Sequence, residues 1–123
     1  MRPIKFRGKD RRTGRWYYGN LYVKDTRGRT HICTPERGCF DIDPDTIGQF
    51  TGLYACDGKE IFEGDILDFN GLIVEVRFVR GVFALLVNGD LDNELCGDCR
   101  TDIFAKVIGN IHDNPELLKG GEE

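Results

Sequence analysis

A chain of 123 residues with seventeen Lys and Arg, twenty-one Asp and Glu and a formal net charge of −4 fills one compact domain, or two small β modules sharing a core. It leaves no room for a separate catalytic domain. No apolar run approaches the roughly 20 residues that span a bilayer, and the charged opening Met1 to Asp10 lacks a signal-peptide core, so a cytoplasmic protein with no membrane association is expected. The charge is divided: residues 1–37 hold eleven cations against three acids, and the remainder six against eighteen. Such polarity suits nucleic acid at the front, pairing between the two parts or head-to-tail assembly. Charged strand faces in water are the plainer explanation.

The first elements read as strands. Ile4 and Phe6, then Trp16 and Tyr18, alternate with Lys5, Arg7, Arg15 and Tyr17, which predicts a hairpin with apolar side chains inward, cations outward and a turn over residues 10–14. Lys5, Arg7, Arg11, Arg12 and Arg15 would then gather on one side and at the tip, with Tyr17 among them. Cations interleaved with an aromatic can hold a phosphate chain and stack a base, so these six residues are the candidate nucleic-acid site. The structural alternative is a solvated hairpin whose aromatics face the core.

A second strand pair is expected over residues 21–23 and 29–33, around a turn completed by Arg27-Gly28. Asp41, Asp43 and Asp45 match the opening of a calcium loop, but Thr46 stands where that loop needs glycine and Gly52 where it needs a bidentate glutamate. A Pro44 turn before a strand explains the segment better. Asp57-Gly58 is a strong reversal signal between Leu53-Tyr54-Ala55 and Glu60-Ile61-Phe62. Glu60, Glu63 and Asp65 have no predicted nucleophile beside them and read as turn-capping carboxylates. The Gly64-Asp65 pair before an apolar run suggests, by analogy, the start of a small SH3-like barrel.

Residues 72–79 and 81–87 form two β-rich runs joined by Arg80-Gly81, with Asn88-Gly89 turning the chain again. The acidic segment 90–102 reads as a loop, and residues 103–111 as a closing strand or pair of strands. Asn114-Pro115-Glu116 has the grammar of a helix start, with a cap, a proline and an acid in the first turn. That helix is about one turn long before Gly120-Gly121, beyond which the tail frays.

Cys96 and Cys99 have the spacing of half a zinc site, and His31, Cys33, Cys39 and Cys56 could in principle supply the other half. A lone pair of this kind is weak evidence. The five cysteines read instead as reduced thiols, with no metal and no cofactor. His31 and Cys33 share a strand face, yet no orienting partner for a nucleophile is identified. Phosphate-cradling loops, Gly-x-Ser-x-Gly elbows and His-Glu-x-x-His are all missing from the sequence.

Three phrases carry a resemblance: the opening Ile4 to Gly19, the segment Ile47 to Leu67, and the partial echo of Ile47-Gly-Gln-Phe50 in Ile108-Gly-Asn-Ile111. Together they resemble the YopX family, encoded mostly by phages and prophages of bacteria. The resemblance implies a mostly β protein: an N-terminal β-hairpin region over residues 1–50, a small SH3-like β-barrel over 51–119 sharing one core with it, a short C-terminal helical turn, and a flexible tail over 120–123. It implies no catalytic residue. The expected role is therefore a non-enzymatic binding or assembly module that forms homo-oligomers or binds a phage or host protein. A nucleic-acid-binding accessory protein using the basic hairpin is the alternative, weakened by repulsion from the acidic remainder.

Overall fold

The computed structural model describes residues 4–34, 36–95 and 100–119. The chain is mostly β, with 53% strand, and divides into two compact units, Met1–Phe50 and Thr51–Glu123.

In the first unit, β1 (Phe6–Lys9) and β2 (Trp16–Gly19) form the expected hairpin, with Arg7 opposite Tyr18 and Gly8 opposite Tyr17. Strands β3 (Leu21–Lys24), β4 (Thr30–Thr34) and β5 (Gly38–Ile42) make a three-stranded antiparallel sheet. A bridge between Asp10 and Ile42 ties the end of β5 to the end of β1. The strand β5 has no counterpart in the sequence reading, because its five residues show no alternation of their own. Its partner β4 organises it, pairing every position from Thr30–Ile42 to Thr34–Gly38.

Strand β2 turns the opposite face inward from the expected one, with Tyr17 and Gly19 in place of Trp16 and Tyr18, while Phe6 of β1 stays inward as expected. Ile4 is 63% and Tyr18 49% exposed, whereas Arg7 is only 5% exposed. Gly8 and Gly19 cause this. A Cβ on Gly8 would collide with the side chain of Ile42, and one on Gly19 with the carbonyl of Cys33. The inward face is thus Phe6, Gly8, Tyr17 and Gly19, smooth enough for the fully buried Ile32 and Ile42 to pack on it. Alternation read from side chains alone misses a core face built on glycine.

A 3₁₀ turn over Pro44–Thr46 follows β5. Asp43 caps it, its carboxylate accepting from the N–H of Asp45 at 3.1 Å, as the turn reading of this segment requires. Strand β6 (Gly48–Tyr54) then pairs with β1 through Gly48 and Gln49. Its later residues pair with β7 (Glu60–Phe62) in the second unit.

The second unit continues through β8 (Asp65–Phe69), β9 (Leu72–Val79), β10 (Val82–Val87) and β11 (Ala105–Asn110), in the order β10-β9-β8-β11. This sheet is antiparallel throughout, in keeping with the mostly β fold expected. Its core joins Ala55, Ile61, Leu67, Val74, Val76, Leu85 and Ala105. Arg80-Gly81 and Asn88-Gly89 turn the chain with both residues at positive φ, the conformation that two-residue hairpin loops demand. Asp65 accepts from the N–H of Phe62 at 2.8 Å, in line with its reading as a turn-capping carboxylate.

Two boundaries differ from the sequence reading. Ile103 and Phe104 lie in a four-residue helix, α1 (Thr101–Phe104), and the closing strand starts only at Ala105. The C-terminal turn is a 3₁₀ helix over Pro115–Lys119, and the Asn114 side chain bonds back to the N–H of Asn110 at 3.3 Å. Gly109 sits at a bulge in β11, where a Cβ would press on Asn114 and Leu117. Among the described residues no helix is long and apolar enough to cross a membrane.

Candidate functional site

Two hairpin turns of the first unit follow one design. In the β1–β2 turn, the Asp10 carboxylate accepts from the N–H groups of Arg12 and Thr13 at 2.8 and 3.1 Å. The Asp10 N–H donates to the Arg15 carbonyl, and the Gly14 N–H to the Asp10 carbonyl. In the β3–β4 turn, the Asp25 carboxylate accepts from the N–H groups of Arg27 and Arg29, both at 2.9 Å. The Asp25 N–H donates to the Arg29 carbonyl, and the Gly28 N–H to the Asp25 carbonyl. Gly14 and Gly28 take positive φ, 75° and 81°, which closes each turn without a Cβ penalty.

These bonds explain the acidity of both carboxylates. Backbone N–H donation from Arg12 and Thr13 holds Asp10 below its usual range. For Asp25 the hydrogen bond from His31 is the larger cause, with the N–H of Arg29 next, and the His31 Nε2 to Asp25 contact is 3.0 Å. Each acid is committed to its own turn, so the arginines project from the turn instead of folding back on it.

Asp41, near the end of β5, links the two turns. One of its oxygens lies 3.5 Å from Arg11 Nε and the other 3.4 Å from Arg29 Nη1, and its carbonyl accepts the N–H of Arg11 at 3.0 Å. Asp41 thus lies against both basic turns, through two long ion pairs to half-exposed guanidinium groups and the backbone bond from Arg11. Arg12, Arg15, Lys24 and Arg27 are exposed around them and form no ion pair among the described residues.

The six residues singled out in the sequence are only partly brought together. Arg11, Arg12 and Arg15 do share the tip. Lys5 and Arg7 lie back along the strand, with Lys5 Nζ 5.9 Å from the Phe50 ring centre and the Arg7 guanidinium 4.9 Å from that of Trp16. Lys9 adds a second cation 5.7 Å from Trp16. Tyr17 is a correction: it points to the opposite face and stacks on Phe40, centroids 3.8 Å apart and planes within 7°. It is therefore not interleaved with Arg7 and Lys9, which lie on the other face of the hairpin.

Lys24, Arg27 and Arg29 were missed, although a signal existed. Asp10-Arg-Arg-Thr-Gly-Arg15 and Asp25-Thr-Arg-Gly-Arg29 share an Asp, an Arg two places on, and a closing Gly-Arg. The extra residue in the first phrase hides the match from a fixed-spacing comparison.

The thiols also depart from expectation. Cys33 and Cys39 stand directly opposite each other on β4 and β5, Cα atoms 3.9 Å apart, and form a disulfide; the reduced-thiol reading fails for this pair. With its sulfur bonded, Cys33 is no nucleophile for His31. Cys56 is free and exposed, while Cys96 and Cys99 lie outside the described residues. Among the described residues no three His, Cys, Asp or Glu side chains gather as a metal site would need. In the second unit Glu75, 1% exposed, takes two bonds from Arg77, at 3.1 Å from Nε and 2.9 Å from Nη2. Leu118 and the Glu75 carboxylate both approach Gly89, so Glu75 is enclosed on the face of β9 opposite the main core while the Arg77 side chain stays 39% exposed.

Residues 5–119 match the family described as YopX protein. Among solved structures, the fold is similar to the crystal structure of protein EF1440 from Enterococcus faecalis, with a TM-score of 0.62 and 28% identity, covering 96% of this chain and 99% of that one. No curated protein matches the chain.

Proposed function

The chain belongs to the YopX family, and from that premise we propose that it is a phage- or prophage-derived binding and assembly module, without enzymatic activity, that associates with further copies of itself in the cytoplasm of a bacterial host. The observation that carries this reading is the division of charge between the two compact units. Met1–Phe50 holds eleven Lys and Arg against six Asp and Glu; Thr51–Glu123 holds six against fifteen. Unlike units on one chain make different copies attract through unlike surfaces. An apolar contact is also offered at the β9–β10 hairpin, where Phe78 and Val82 are 52% and 57% exposed and Phe78 meets Phe83 edge-on at 5.0 Å.

Light scattering across a salt series tests this. At about 50 mM salt more than one chain per particle is expected, with partial dissociation toward about 500 mM as the Debye length shrinks below roughly 5 Å. A monomer at every ionic strength would overturn the proposal.

A further inference from the structure

We propose that the twin basic turns of the first unit form a binding surface for the phosphate backbone of double-stranded nucleic acid, an activity that goes beyond self-association. Asp41 holds Arg11 and Arg29 on its two oxygens, and around that link stand Arg12, Arg15, Lys24 and Arg27, all exposed. Within the cluster three carboxylates oppose six cations, and all three are structurally committed, since Asp10 and Asp25 close the turns and Asp41 joins them. A net positive surface remains around the two turns.

Repetition in the protein identifies the ligand. Two turns of the same design offer the same cations twice, side by side, which fits a polymer that presents identical anions at regular intervals. Duplex nucleic acid carries one negative charge per roughly 1.7 Å of axis, whereas an acidic protein surface has no such regularity. Guanidinium groups, with their planar fork of donors, suit phosphate oxygens.

The same geometry sets the mode of binding. The turn N–H groups already bond to Asp10 and Asp25, so contacts come from side chains alone. Tyr17 is stacked on Phe40 and stands on the hairpin face opposite Arg7 and Lys9, so it is not interleaved with those cations. Backbone contacts of this sort position a ligand but carry no sequence information, so binding should be independent of sequence and should favour duplex over single strand.

The test is fluorescence anisotropy of the full chain with a labelled duplex of about 20 base pairs and its separate strand, between about 50 and 150 mM salt. Duplex binding at the lower salt is expected, with log K falling steeply against log salt and only weak binding at the higher salt. Arg12→Ala/Arg27→Ala keeps every bond inside the turns. It should lower affinity by roughly tenfold or more at 50 mM and reduce the salt slope by about 2, with Tm unchanged, while Lys59→Ala/Lys106→Ala in the second unit binds as the parent does. No duplex binding at 50 mM would overturn the proposal, as would an unchanged slope in the arginine variant. Competition by polyglutamate as strong as that by unlabelled duplex would also overturn it, in favour of an acidic protein partner. Light scattering on the same variant separates the two readings: lost assembly with intact duplex binding places the turns in self-association and overturns the assignment made here.

Discussion

Glu75 is the residue most sensitive to its partner. Its carboxylate is buried among apolar neighbours on β9, and Arg77 supplies the charge that makes burial tolerable. Removing one member of such a pair leaves an uncompensated charge, whereas replacing both by apolar groups is often close to neutral. Arg77→Ala should therefore cost about 3 kcal/mol, and Glu75→Leu/Arg77→Leu markedly less, in urea unfolding. Equal losses in the two variants would show that the pair is not the source. Asp10 and Asp25 act differently, because both lie at the surface and both are held below the ordinary carboxylate pKa by their hydrogen bonds. A carboxylate more acidic in the folded than in the unfolded chain contributes stability that is complete above its unfolded value, near 3.8. That contribution disappears as pH falls through the folded value. The Tm of the parent should thus drop below about pH 4 more steeply than that of Asp25→Asn; parallel curves from pH 6 to 3 would refute the assignment. Closing the six-residue separation between Cys33 and Cys39 stabilises by about 2 kcal/mol in the chain-entropy account. Cys33→Ser/Cys39→Ser should lose about that much under oxidising conditions and nothing under reducing ones, relative to the parent in the same buffer.

Among the elements, the β1–β2 hairpin shows how glycine can define a core face. Its strands carry Phe6, Tyr17, Gly8 and Gly19 inward, and the two glycines make room for Ile32, Ile42 and the backbone at Cys33. Adding one methyl group to a filled site typically costs about 1–3 kcal/mol. Gly19→Ala should fall at the upper end or beyond, because its obstacle is a main-chain carbonyl that cannot rotate aside. Gly8→Ala meets the side chain of Ile42 and should cost less. Thermal unfolding of both variants checks the order, and a Gly19→Ala protein as stable as its parent would mean that the hairpin lies farther from β4. The β3–β4 hairpin depends less on its sides than on its turn, since Asp25 accepts two N–H groups and His31 as well.

For the whole molecule, the charge division falls near the fold division without matching it: residues 38–50 carry three acids and no cation, yet Met1–Phe50 as a whole stays basic and Thr51–Glu123 acidic. Salt should therefore act on the proposed assembly and on the proposed duplex binding in the same direction, weakening both by screening. The arginine variants, which change one charge cluster at constant ionic strength, are needed to tell the two apart. The acidic second unit also limits the affinity of the first for any polyanion, which is why binding is expected near 50 mM salt and not far above it.

The amino-acid sequence by itself determined the mostly β character, the hairpin turns at Asp57-Gly58, Arg80-Gly81 and Asn88-Gly89, and the long strands β9 and β10. These depend on local preferences: β-branched residues in runs, and glycine where φ must be positive. Tertiary structure decided which face of β2 is buried, because Gly19, and Gly8 opposite Tyr17, have no side chain to reveal it. It also decided that β5 is a strand, since only pairing with β4 makes it one. The meeting of Arg11 with Arg29, eighteen residues apart, and of Cys33 with Cys39 likewise follows from strand pairing that brings distant positions together. Short-range chemistry writes turns and strands into a sequence, while the choice of face and of neighbour is settled by what packs against each strand.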